Sequence, residues 1–176
     1  MSSVLKSTIL LLPFLFFISC TSENSDQQQA NQQEEKDRAP DFQVTTIDGN
    51  TVSLQESLEN DKPMVVYFTA SWCPTCAQNW PVLSKLYPEY EDRLSLVAIS
   101  IDPTDTEDVM TELAEEEGFT YPSTAGNPDL MLEFGVESQA TTVGVNRDGY
   151  IEFVRSNTAL SEEEYRVLFD RLVNGQ

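Results

Sequence analysis

Met64-Val65-Val66-Tyr67-Phe68-Thr69-Ala70-Ser71-Trp72-Cys73-Pro74-Thr75-Cys76 is the segment on which the fold turns. Its first six residues are an apolar run rich in β-branched and aromatic side chains, the mark of a central strand buried on both faces. Ala77, Trp80, Leu83 and Leu86 then recur at helical spacing, which predicts a helix from about Pro74 to Tyr90. Two cysteines three apart therefore stand at a strand-to-helix junction. Cys73 falls at the helix N-terminus and Cys76 about one turn further on, while Pro74 suits the first helical position, where its missing N–H costs nothing. Orphan N–H groups and the helix dipole at that end stabilise a thiolate on Cys73, lowering its pKa and making it the nucleophile. Cys76 is then near enough to attack a mixed disulfide on Cys73 and release the reduced product. Three other readings compete. Structural zinc needs a second ligand pair, which a chain of 3 cysteines and no histidine does not offer. A structural disulfide across so short a loop constrains little of the unfolded chain. Two unconnected buried thiols are the third possibility. Redox chemistry is the reading the junction favours.

Outward from this segment, Phe42, Val44 and Thr46 share one face of a strand, and Asp48-Gly49-Asn50 turns it into Thr51-Val52-Ser53-Leu54, a hairpin. Downstream, Leu94 to Ile101 reads as a second buried strand and Thr106 to Glu117 as an acidic amphipathic helix. Asn127-Pro128 opens a short helix through Phe134. Strands at Thr141–Asn146 and Tyr150–Arg155 flank Arg147-Asp148-Gly149, and a last helix runs from Ser161 to about Val173 behind a Ser161/Glu164 capping box. This order describes an α/β fold, a mixed central sheet flanked by helices with an N-terminal β-hairpin extension.

The first 39 residues have a different character. Lys6 is the only charge before Glu23, and Ile9 to Ile18 is an apolar run interrupted by Pro13, the layout of a secretory signal. Phe17-Ile18-Ser19-Cys20 resembles the lipobox of bacterial and archaeal lipoproteins, with phenylalanine where leucine is usual. The resemblance implies removal of residues 1–19 and acylation of Cys20. It also accounts for the odd cysteine, leaving a pair. Residues 20–39, with Gln27, Gln28, Gln29, Gln32 and Gln33 and no aromatic, read as a disordered linker. Such a tether has a span of roughly 25 Å. The folded domain is expected over 40–176.

Composition excludes several classes. With 176 residues the chain holds one domain, and 40 % apolar residues with 9 Phe, 6 Tyr and 2 Trp are enough to fill a core. Thirty acidic against 10 basic side chains give a charge of −20, a field that repels phosphate backbones and argues against nucleic acid as a partner. Absence of histidine removes every imidazole base, shuttle or ligand. Residues 40–176 hold 25 of the acidic and 7 of the basic residues, with Lys62 and Lys85 their only lysines, so the excess belongs to the domain. It points to a protein that works in high salt, where self-repulsion is screened.

Residues 40–176 resemble the extracytoplasmic thioredoxin-fold proteins of the ResA/TlpA type. The likeness rests on Ala39-Pro40-Asp41-Phe42, on Phe68 through Cys76, on Pro81, on Phe134-Gly135-Val136 and on Asn146-Arg147-Asp148-Gly149. It implies a thioredoxin-like three-layer fold and disulfide exchange with client proteins outside the cytoplasm. Cys73 is then the exposed nucleophile and Cys76 the resolving thiol, with Trp72, Pro74, Thr75 and Ala140 at the client contact. No cofactor is called for. The expected partners are cysteine-bearing clients and, through Cys20, a membrane, with the protein itself a monomer.

Three positions depart from that pattern. Ala140 stands where the family has a cis-proline. A cis bond before alanine costs about 3–4 kcal/mol, so a trans peptide and a reshaped loop are expected. Asn79 replaces the acid of the active-site helix and Tyr67 the buried acid of thioredoxins, so neither can move a proton as a carboxylate does. A peroxiredoxin would carry threonine and proline three and seven residues before its cysteine, where this chain has Ala70 and Val66. A Sco-like copper chaperone shares the Asp102-Pro103 stretch but needs a different cysteine spacing and a histidine. Two thiolates no longer screened by a proline still suit a soft ion, and Cu(I) binding or delivery is the alternative function. A non-catalytic adaptor is disfavoured by the intact cysteine pair.

Overall fold

The structure, a computed structural model, describes residues 37–175. The expected signal segment, the acylated Cys20 and the linker up to residue 36 lie outside the described residues. Within them, β1 (Gln43–Thr45) and β2 (Thr51–Ser53) form the antiparallel N-terminal hairpin, with Val44 opposite Val52. Chain and sheet meet earlier than the expected boundary at residue 40. Asp37 accepts the Ile151 N–H at 2.8 Å, the Ala39 N–H reaches Gly149 O at 2.9 Å, and Ala39 is buried.

Next come α1 (Leu54–Glu59), β3 (Met64–Thr69), α2 (Cys76–Tyr90), β4 (Ser95–Ser100) and α3 (Glu107–Glu117). They are followed by β5 (Ser123–Gly126), α4 (Pro128–Glu133), β6 (Thr141–Val145), β7 (Ile151–Arg155) and α5 (Glu162–Asn174). The main sheet has the order β5-β4-β3-β6-β7. β3 pairs in parallel with β4 and antiparallel with β6, and all six of its residues are buried, which accounts for the unbroken apolar run.

Its side chains divide the core. Val65 and Tyr67 join Trp80, Leu83 and Leu86 of α2 and Tyr165, Phe169 and Leu172 of α5. Met64, Val66 and Phe68 join Phe42 and Val44 of the hairpin segment, Leu54 of α1 and Leu130 of α4. Sheet, α2/α5 face and opposite face make the three expected layers.

Two elements differ from the sequence reading. Leu54 ends no strand: Ser53 accepts the Glu56 N–H at 3.1 Å and caps α1, turning the chain out of the hairpin. β5, a stretch to which the sequence reading assigns no element, extends the sheet beyond β4 in parallel, with a register shift at Ile99/Ser100. Helices α3, α4 and α5 start where their caps predict. Thr106, Asn127 and Ser161 each accept an N–H from the first turn, and the Ser161/Glu164 capping box is complete.

Candidate active site

β3 delivers the chain to a turn closed by the Cys73 N–H on Ala70 O at 3.1 Å, with Ser71 and Trp72 at its corners. Cys73 then takes the hydrogen-bonding part of a helix cap. Its Sγ accepts the Cys76 N–H at 3.0 Å and its carbonyl accepts the Ala77 N–H at 3.1 Å. The regular helix begins at Cys76, two residues after the expected start, although Thr75 already has helical angles (φ −72°, ψ −36°). Counted from the cap bonds, Pro74 still fills the first helical position.

Cys73 and Cys76 are joined in a disulfide with their Cα atoms 5.2 Å apart. Both are buried; Cys73 is 2 % exposed in this disulfide form, so the expected exposed nucleophile is covered. Both cysteines belong to the core cluster that also holds Ala70, Trp80 and Ala140. What the surface presents instead is Trp72, 58 % exposed, with Pro74 exposed and Thr75 half-buried beside it.

Ala140 belongs to this cluster and is fully buried, so its methyl group is not part of a contact surface, contrary to expectation. Its peptide is trans, as the cost of a cis bond before alanine dictates. Reshaping takes the form of a left-handed backbone, φ +53°. Ala140 O accepts the Thr158 N–H at 3.1 Å, and Asn157, itself at φ +46°, donates its N–H to Thr141 Oγ1 at 3.3 Å.

Asn79 ties that region to the reactive helix. Its Nδ2 donates to Thr158 O at 3.0 Å and to Tyr67 Oη at 3.1 Å, while Oδ1 accepts the Leu160 N–H at 2.9 Å. Where relatives of the resembled type carry acids, this chain has a satisfied amide bracket. Burial pushes the Tyr67 phenol well above its ordinary value, against the weaker opposing pull of the Asn79 bond, so it stays a neutral donor or acceptor.

Two residues that the sequence reading passed over complete the site. Asp105 is 3 % exposed and Asp102 is half-buried, both in the loop between β4 and α3. Asp105 receives Ser71 and Ser100, and Asp102 Oδ2 receives the Trp72 indole N–H at 2.5 Å. Thr104, through hydroxyl and then backbone N–H, and after it Trp72 hold the Asp102 carboxyl below the ordinary carboxylate range. In sequence, Asp105 reads as an acid ahead of the Thr106 helix cap. The one available hint was a second Asp three residues after Asp102, directly behind a buried strand.

The chain is similar in sequence and fold to known proteins. A family model described as AhpC/TSA family matches residues 36–154. The chain is 29 % identical over 131 residues to thioredoxin-like protein YneN of Bacillus subtilis (strain 168), covering 74 % of this chain and 76 % of that protein. It is 33 % identical over 122 residues to thiol-disulfide oxidoreductase ResA of Oceanobacillus iheyensis, covering 66 % and 62 % respectively. Among solved structures, MTB dsbF in its mixed oxidized and reduced forms aligns with TM-score 0.64 and 25 % identity, over 74 % of this chain and 94 % of that one. A thioredoxin family thiol:disulfide interchange protein of Chlorobium tepidum TLS aligns with TM-score 0.68 over 78 % and 97 %; at 21 % identity it speaks to the fold alone.

Proposed function

The chain belongs to the AhpC/TSA family and is a thiol-disulfide oxidoreductase, and from that premise we propose that it exchanges its Cys73–Cys76 pair with cysteine-bearing client proteins outside the cytoplasm. One observation carries the reading: the disulfide sits at the head of α2 with the Cys76 N–H aimed at Cys73 Sγ. In the reductive direction the Cys73 thiolate attacks a client disulfide. A bond forms between Cys73 Sγ and one client sulfur while the other leaves as a thiolate and takes a proton from water. Cys76 then attacks Cys73 Sγ, and the remaining client sulfur departs with the proton Cys76 loses. Two electrons pass to the client and the enzyme disulfide closes. The reverse sequence oxidises a client dithiol. Trp72, Pro74 and Thr75 serve as the client contact, with Trp72 the dominant exposed apolar surface there. Acylated Cys20 holds the domain at a membrane; among the described residues no helix is long and apolar enough to cross one.

A Cys76→Ser chain tests the exchange, because it stops at the mixed disulfide. Reducible adducts on Cys73 with cysteine-bearing proteins are expected. Absence of adducts, with insulin reduction by the parent chain no faster than by dithiothreitol alone, overturns the reading. Mass spectrometry of membrane-extracted protein should find Cys20 acylated as the first residue, and an unmodified terminus further downstream removes the anchor.

A further inference from the structure

The turn that presents Cys73 is gripped from outside at both corners. Asp105 Oδ1 accepts the Ser71 hydroxyl at 2.6 Å and its Oδ2 the Ser71 N–H at 2.9 Å, so one carboxyl group fixes both the position and the rotation of that residue. The next corner, Trp72, is held through its indole N–H by Asp102. Burying a carboxyl group is costly unless it is well bonded, and Asp105 meets that cost with three neutral donors, the third being Ser100 Oγ at 2.5 Å. A serine or threonine at 105 could satisfy Ser100 without that cost. The bidentate hold on Ser71 is what a carboxyl group adds.

The loop that supplies the grip is itself braced. Asp105 N–H donates to Asp102 O at 3.0 Å, and Asp102 N–H donates to Ser100 Oγ at 3.2 Å. Gly126 of β5 donates its N–H to Asp105 O at 2.8 Å, and a Cβ at residue 126 would stand 1.8 Å from Asp102 O. Sheet edge, loop and turn therefore contact one another without slack, two residues before the sulfur that reacts.

We propose that Asp105 is a positioning residue for thiol-disulfide exchange: through Ser71 it fixes the turn that aims Cys73 at an incoming disulfide, while Asp102 sets the adjoining Trp72. The inference rests on the exchange reading above. Attack on a disulfide demands that the sulfur approach nearly along the bond it breaks, so loosening the turn lowers the rate even when the thiolate is fully formed.

That distinction supplies the test. In a full-length Cys20→Ser chain, where Cys73 and Cys76 are the only thiols, the reduced protein is mixed with dithiobis-nitrobenzoate and the attack rate is followed against pH. Asp105→Ala, which removes every acceptor, is expected to lower the high-pH plateau about tenfold, and Ser71→Ala, which loses only the hydroxyl bond, about threefold. The double variant should be no slower than Asp105→Ala alone, since Ser71→Ala removes a bond that Asp105→Ala has already removed. If Asp105→Ala does not fold, the Ser71→Ala plateau decides. Unchanged plateaus, with at most a displaced midpoint, mean that Asp105 acts only through its charge and overturn the inference while exchange stands. A parent chain that does not attack the reagent at all overturns the exchange reading, and the positioning role with it.

Discussion

The backbone N–H of Cys76 lies 3.0 Å from Cys73 Sγ, so the resolving residue donates a hydrogen bond to the sulfur it will later attack. In the reduced protein the same donor, with the helix dipole behind it, favours thiolate on Cys73. Cys76 lies inside the first turn and is fully buried.

Limiting iodoacetamide on the reduced chain is therefore expected to alkylate Cys73 at least about tenfold faster than Cys76. Peptide mapping reads the ratio directly. The preference should persist in Cys76→Ser, which keeps the N–H. Equal labelling of both cysteines contradicts the cap geometry.

Ala140 carries a side chain in backbone territory that favours glycine, and it does so in a sealed part of the core. Ala140→Gly relieves the left-handed strain but loses a buried methyl group and gains unfolded-chain entropy. These effects nearly cancel, so stability should stay within about 1 kcal/mol of the parent. Ala140→Val adds volume and a β-branch at φ +53° and should cost about 2–3 kcal/mol. Urea unfolding of the oxidised protein measures both, and a tolerated valine would mean that this loop is not locked.

Across the outer surface of α2 and α5, Arg166 makes two bonds to Glu89, at 2.7 and 3.1 Å, and one to Glu162 at 3.3 Å. Arg166 holds the Glu89 carboxyl below its ordinary value of 4.5; Lys85 first, and then Arg166, does the same for Glu162. Lowered folded-state values mean that the linked stability is present above pH 4.5 and is lost as pH falls through those values. The melting-temperature gap between the parent and Arg166→Leu should accordingly be full at pH 7 and close below pH 4. A gap that is unchanged at low pH would assign Arg166 a packing role through its stem instead.

The charge excess of the domain makes a separate prediction. With 25 acidic and 7 basic residues over 40–176, folding brings like charges together, and salt screens them. The melting temperature should rise on going from about 0.05 to 2 M NaCl, mostly within the first few tenths molar, where the Debye length falls below about 5 Å. Indifference to NaCl would show that local pairing already offsets the repulsion, and would count against a high-salt habitat.

Much of this molecule could be read from its sequence because its strongest signals are local. Six consecutive apolar residues are buried throughout β3, a cap residue stands before each of α3, α4 and α5, and the cysteine spacing matches the first turn of α2. What escaped reading depends on neighbours far along the chain. Ser123-Thr124-Ala125-Gly126 has no apolar alternation and becomes a strand only because β4 offers an edge. Asp105 looks like any acid before a helix, and its burial follows from Ser71, thirty-four residues earlier. α1 is a different case. Ser53 and Glu56 carried the capping signature, but the alternating pattern before them was extended one residue too far into Leu54.

The docking of Asp37 against Ile151 gives the domain a polarity. Ile151 pairs with Val145, Val145 pairs with Met64, and Met64 begins the strand whose other end leads to Cys73. The chain thus enters at one pole of the sheet and reacts at the opposite pole, a strand length of about 20 Å away. A label or graft placed at Asp37 therefore lies a strand length from the reacting sulfurs and leaves them uncovered, whereas one at the loop between β6 and β7 would compete with Asp37 and Ala39 for the same pole.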